Sequence, residues 1–175
     1  MVLELQNKWD ELIGQSVPVS KLTTDLKWVE LTNKLANLII KNCNGSSLVL
    51  DIGAGDGSLY FLIKKICRLY AAIEPSGIMV KRFRSKVNNY ICQGIGEDLP
   101  YQSGIFDLAI LNSALDHCFN PVSVIAEAYR ILKPGGKIFL LLTNEGAWYK
   151  NLFKKYNLLR KNNCREHLFH FIPGD

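Results

Sequence analysis

LVLDIGAGDGSL, residues Leu48 to Leu59, decides how this sequence is read. Leu48, Val49, Leu50 and Ile52 surround one acid, Asp51, and run straight into Gly53, Gly55 and Gly57. Such an apolar run reads as a buried strand, and a glycine-rich turn at its end usually receives a nucleotide-like ligand. The glycine spacing is G-x-G-x-G, and Ser58 stands where the dinucleotide fingerprint G-x-G-x-x-G/A has its last glycine or alanine. Asp51 and Asp56 would both repel a pyrophosphate, so they point to a ligand that is not anionic. A tight turn with no ligand is the bland alternative. The acids weigh against it, because buried carboxylates need partners.

Upstream, Val2, Leu5, Trp9, Leu12 and Ile13 fall at helical spacing until Pro18 interrupts them. Trp28, Leu31, Leu35, Leu38 and Ile39 predict a second amphipathic helix ending near Asn42 to Gly45. Downstream the pattern alternates. Leu59–Ile66 reads as a helix, Leu69–Ile73 as a strand, Gly77–Arg84 as a helix, Asn89–Cys92 and Phe106–Leu111 as strands. Pro121–Leu132 predicts a helix capped by Asn120, with Val122, Ile125, Ala128 (or Tyr129) and Leu132 facing the core. Lys133-Pro-Gly-Gly136 stops it, and Lys137–Leu142 is a fifth strand. Strands alternating with helices imply an α/β fold, a doubly wound and mostly parallel sheet whose ligands bind beyond the carboxyl ends of the strands. The expected organisation is a helical cover over 1–45, an α/β core over 46–145 and a helical or loop segment over 146–175.

The chain has 175 residues, 48% hydrophobic and 21% charged, which suits one domain with a sizeable core. The net charge of +5 is scattered, and no run of five basic residues occurs, so RNA is a minor reading beside a soluble surface. Cys43, Cys67, Cys92, Cys118 and Cys164 are odd in number and form no C-x-x-C pair; free thiols in the cytoplasm are expected. Glu4, Asp10 and Glu11 argue against a signal peptide, and the run Ile138–Leu142 is far too short to span a bilayer.

Glu74 closes the second strand, where a carboxylate can accept from both ribose hydroxyls. In Gly94-Ile-Gly-Glu97-Asp98-Leu99-Pro-Tyr101 a carboxylate can accept from an adenine amino group, with Leu99 packed on the ring. The fourth strand ends at Asn112-Ser-Ala-Leu-Asp116-His117. Taken together, VLDIGAGDGSL, AAIEPS, GEDLPYQSGIFDLAILNSALDH and AYRILKPGGKIFLLL resemble class I S-adenosylmethionine-dependent methyltransferases, specifically the type-11 methyltransferase domain, over residues 47 to 143.

That resemblance implies a Rossmann-like fold and S-adenosylmethionine as cofactor. Gly53, Ala54, Gly55 and Gly57 would lie along its methionine part, with Asp51 holding the amino group directly or through water. Glu74, followed by Pro75, would take the ribose. Asp98 would meet the adenine amino group, with Glu97 beside it and Leu99 lining the ring. Asn112 would sit near the methionine and the methyl. His117 and Asp116 are the candidates for a catalytic base, if the acceptor must lose a proton. A histidine that only packs against substrate is an equal reading. The acceptor implied is a small molecule.

Cys164-x-x-His167-x-x-His170 lacks a fourth zinc ligand, and no metal is expected. REHLFHFIPGD is similar instead to the H-x-x-x-F-[ST]-P segment of the same family. Members of that family continue past the point where this chain stops at Asp175. The strand KIFLLL is therefore expected as an exposed apolar edge, covered by residues 146–175 or by a second copy in a homodimer, or else left by truncation. Two rival readings remain open at this point: a non-catalytic or partner-dependent binder of S-adenosylmethionine, and a nicotinamide-dependent oxidoreductase, which the loop acids and glycine spacing oppose.

Overall fold

The computed structural model describes residues 10–11, 26–87, 90–142 and 168–171; the side chains of Lys27, Trp28, Asp116 and 168–171 lie outside that description. Four helices are described: α1 (Leu26–Asn42), α2 (Ser58–Ile63), α3 (Gly77–Lys86) and α4 (Pro121–Ile131). The strands are β1 (Leu48–Ile52), β2 (Leu69–Glu74), β3 (Ile91–Gln93), β4 (Phe106–Asn112), β5 (Leu132–Leu141) and β6 (Leu168–Phe171). They form one six-stranded sheet in the order β3-β2-β1-β4-β5-β6. The first five run parallel, as the alternating pattern predicts, and β6 is antiparallel to β5.

Residues on one strand alternate between the sheet's two faces, so each strand feeds two cores. On one face Leu50, Ile52, Ala71, Ile73, Ala109 and Leu111 pack with α4. On the other, Val49, Tyr70, Ala72, Leu108, Ile110 and Phe139 meet α1, α2 and α3. Leu35 and Ile39 of α1 are fully buried there, so this helix packs directly on the sheet face it covers. Truncating Leu35 to alanine should cost about 2–5 kcal/mol.

Two helix starts follow local chemistry. Ser76 accepts from the Met79 N–H at the head of α3, and Asn120 from the Ser123 N–H at the head of α4, which Pro121 opens. The core stripe of α4 differs from the predicted one. Val124, Ile125, Ala128 and Ile131 are buried, Val122 is only partly so, and Tyr129 is exposed. The helix also ends one residue early, because Leu132 turns extended and pairs with Phe106 of β4. Lys133–Gly136 then interrupts the ladder, and pairing resumes at Lys137. Lys133 bonds both carboxylate oxygens of Asp107 across that interruption.

The apolar edge expected at β5 is not left open. Ile138 to Leu141 pair with Phe171 to Leu168, which satisfies the strand edge from within the chain. A second copy is not needed to cover it. The amphipathic pattern of Val2 to Ile13 falls outside the described residues, apart from Asp10 and Glu11. Asp10 docks on the head of α3, accepting from the Ser76 hydroxyl and the Ile78 N–H.

Candidate active site

In this strand order the chain reverses its direction of growth between β1 and β4, and the crevice beyond the carboxyl ends of such strands is where open α/β sheets bind ligands. A cavity of about 260 Å³ opens there. Ile52, Gly53, Gly55, Glu74 and Pro75 line it from the β1 and β2 ends, Met79 from α3, and Ile95, Gly96 and Glu97 from the loop after β3. Ser113, Ala114, His117, Cys118 and Phe119 line it from the segment after β4. No lysine or arginine is among these residues.

The glycine loop is tied to β2. Gly53 and Ala54 both donate to the Ile73 carbonyl, and Gly55 donates to Glu74 Oε2 at 2.9 Å. A side chain at Gly53 would meet the Ala114 methyl at 2.5 Å, so the loop and the segment after β4 touch across the cavity floor. Glu74 is buried, and its other oxygen accepts from the Ser76 N–H at 2.9 Å. Burial pushes its carboxyl up, and the two N–H groups oppose the rise. A carboxylate has about four acceptor positions, so two hydroxyl donors could still be accommodated.

Asp51 lies beneath the loop, 1% exposed. Its Oδ2 accepts from the Tyr70 hydroxyl, while Oδ1 has no partner among the described residues. Burial pushes Asp51 up to about 7, the Tyr70 hydrogen bond opposes that rise, and the charge of Glu74 adds to it. Asn112 Oδ1 is likewise buried and unpartnered among the described residues. Buried acceptors in this state are costly unless a donor arrives from elsewhere.

Several expected residues sit differently. Asp56 does not face the ligand space: it accepts from the Ser58 N–H and pairs with Lys86 at 2.6 Å. The repulsion argued from that acid is therefore cancelled by Lys86, and the negative character comes from Glu74, Glu97 and Asp51. Asp98 is exposed and Leu99 is buried in the α4 core, so neither lines the cavity. Ile95, Gly96 and Glu97 of the same loop do line it. The cause is a clasp from α4. Arg130 donates to the carbonyls of Leu99 and Tyr101, and Glu127 accepts from the Leu99 N–H, which draws Leu99 inward. Glu97 Oε1 accepts from the Asn120 N–H at 3.0 Å.

His117 closes a short 3-10 turn, Leu115–His117, at the cavity rim. The Asp116 side chain lies outside the described residues. Ala54 and Asn112 adjoin lining residues without being part of the lining, and Gly57 lies outside it, facing Phe83. Met79, Ser113, Ala114, Cys118 and Phe119 were not foreseen. Ser113 and Ala114 follow the expected strand end directly, but Met79 enters only through the rotation of α3. Ser113 takes φ 54, a conformation rare for a non-glycine residue and often found at functional sites. Cys164 and His167 lie outside the described residues, as does the His170 side chain. Among the described residues no His, Cys, Asp and Glu cluster could hold a metal ion.

Residues 50–140 match the model of the family described as Methyltransferase domain. This chain belongs to that family. The chain is 31% identical over 158 residues to malonyl-[acyl-carrier protein] O-methyltransferase of Marinomonas sp., covering 86% of this chain and 56% of the relative. It is 30% identical over 146 residues to the ubiquinone biosynthesis O-methyltransferase of Xanthomonas oryzae pv. oryzae, covering 80% and 58%. The chain thus spans a little over half the length of these curated relatives. Among solved structures, the YcgJ protein of Bacillus subtilis superposes with a TM-score of 0.61 at 24% identity, over 71% of this chain and 58% of the other, which shows the shared fold.

Proposed function

We propose that this domain binds S-adenosylmethionine and directs its methyl group to a small-molecule acceptor. The observation that carries the reading is the cavity's charge: Glu74 and Glu97 in its wall, Asp51 beneath its floor, and no lysine or arginine in the lining. A cofactor with a sulfonium, an ammonium and ribose hydroxyls, and without a phosphate, suits such a wall. The unpartnered Oδ1 atoms of Asp51 and Asn112 fit the same group, since both accept and neither has a donor among the described residues. A pyrophosphate would find no lysine or arginine among the described lining residues, and α2 after the loop has only six residues.

The bound cofactor supplies an activated methyl; the chain's part is to hold, align and exclude water. Glu74 would hold the ribose, Gly53 and Gly55 would let the backbone lie along the chain of the cofactor, and Ile95, Gly96 and Met79 would flank the adenine with Glu97 at its edge. His117 and Phe119 line the cavity at its exposed side, where an acceptor would enter. His117 would take a proton if the acceptor is a hydroxyl. Two relatives bear O-methyltransferase names, which supports an oxygen as the acceptor atom. A cytoplasmic location belongs to this reading: none of the four described cysteines forms a disulfide, and no described helix is long and apolar enough to cross a membrane.

Titration calorimetry with S-adenosylhomocysteine and with NADH tests the proposal. S-adenosylhomocysteine should bind and NADH should not. Binding of NADH alone would overturn the reading.

A further inference from the structure

Tyr70 is the second residue of β2, and nothing in its local sequence calls for a phenol. A strand of a parallel sheet buried on both faces is ordinarily rich in Val, Ile and Leu, none of which carries a hydroxyl. Here the tyrosine is 4% exposed, and its hydroxyl reaches Asp51 on the neighbouring strand. The ring is held from several sides. Tyr60 meets it edge-on with centroids 5.3 Å apart, and Tyr60 packs in the same way on Phe83 at 5.6 Å. Phe83 in turn occupies the space that the absent side chain of Gly57 leaves open. Tyr70 therefore has no room to swing away. Asp51 keeps one oxygen bound and the other unpartnered among the described residues, directly below Ile52 and Gly53, which line the cavity.

We propose that Tyr70 is a positioning residue for the amino-acid end of the cofactor: its hydroxyl fixes the Asp51 carboxylate, and Asp51 Oδ1 meets the ammonium group, directly or through water. The inference rests on the S-adenosylmethionine reading above. The titratable groups acting on Asp51 are Tyr70 and Glu74, both from β2; those acting on Tyr70 are Asp51, Cys67 and, from α2, Tyr60. On the β4 side its neighbour in register is the apolar Ile110. None of these is a cation, so an arriving ammonium is the charge that would complete the site. An ammonium favours the ionised carboxylate, so binding below pH 7 should expel a proton from Asp51. The Tyr70 hydroxyl donates to that ionised form and helps it.

The test is calorimetry on the full chain and on Tyr70→Phe, with S-adenosylhomocysteine and with 5′-methylthioadenosine, which lacks the amino-acid part. Loss of the hydroxyl should raise the pH at which Asp51 ionises by about one unit, weakening S-adenosylhomocysteine about tenfold near pH 6.5 and about twofold near pH 8. Affinity for 5′-methylthioadenosine should not move. Asp51→Asn should remove the pH dependence, and adding Tyr70→Phe to it should cost nothing more. In the unaltered chain, binding of S-adenosylhomocysteine near pH 6.5 should release protons, read from buffers of different ionisation heat. If the unaltered chain binds neither ligand, the cofactor reading falls and this inference with it. If it binds both but releases no proton, or if Tyr70→Phe weakens both ligands equally or neither, the role of Tyr70 alone is overturned.

Discussion

Two glycine-bearing turns differ in almost everything but composition. Gly53–Gly57 follows β1, and Gly135-Gly136 interrupts β5. Both hold a glycine at left-handed φ: 80° at Gly57 and 77° at Gly135. A side chain at Gly135 would meet nothing within 4 Å. At Gly57 it would run into the buried Phe83 ring, and at Gly53 into Ala114. The first turn is packed from below by an aromatic cluster and a buried acid, and it opens upward onto a cavity. The second is solvated at Pro134 and Gly135, with only Gly136 buried against its own turn. Glycine in a turn thus reports backbone need alone. What surrounds the turn decides whether a ligand can use it.

The comparison breaks most readily at Gly57→Ala. Left-handed strain and the clash with Phe83 together should cost about 2–5 kcal/mol, measured by urea unfolding. Wild-type stability would mean that Phe83 does not fill that space. Next in size is Glu74→Gln, which keeps the shape but removes the charge beside the Gly55 N–H. S-adenosylhomocysteine should bind about tenfold to a hundredfold more weakly by calorimetry, a loss of about 1.4–2.8 kcal/mol.

The third prediction concerns pH. Asp51 is held at about 7 in the folded chain by burial, against an ordinary carboxylate value of 3.8. Between those values the folded chain keeps a proton that the unfolded chain gives up. The contribution is therefore complete below about pH 4 and is lost as pH rises through 7, by up to about 1.4 kcal/mol per unit. Thermal melts of the ligand-free chain and of Asp51→Asn should diverge over that window, with the variant flatter. Parallel curves would remove Asp51 as the cause. Smallest of all is Gly135→Ala. Only backbone strain acts there, so about 1 kcal/mol of stability should go and cofactor affinity should stay.

The turns also mark how far the sequence could be read. The strand-helix alternation, the cap Asn120, and Glu74 at the end of β2 are local facts, legible because period and capping depend on neighbouring residues. Which of Glu97 and Asp98 lines the cavity was not legible. It depends on the path of the loop after β3, and Glu127 and Arg130 of α4 set that path from about thirty residues away. The pairing of Lys86 with Asp56 crosses a similar distance and removes one loop acid from the ligand's side. The stripe of α4 shifted for the same kind of reason, since the sheet face it meets chooses Val124 and Ile131 over Val122.

From sequence alone came the parallel sheet, the place of the glycine loop and membership of the methyltransferase domain family, because each depends on residues close together in the chain. The tertiary structure decided which acids share the cavity, which aromatic ring sits under the loop and how the edge of β5 is covered. Those outcomes depend on burial and on contacts between residues far apart in sequence. Tyr70 and Asp51 are 19 positions apart, and only the parallel pairing of β1 with β2 makes them neighbours.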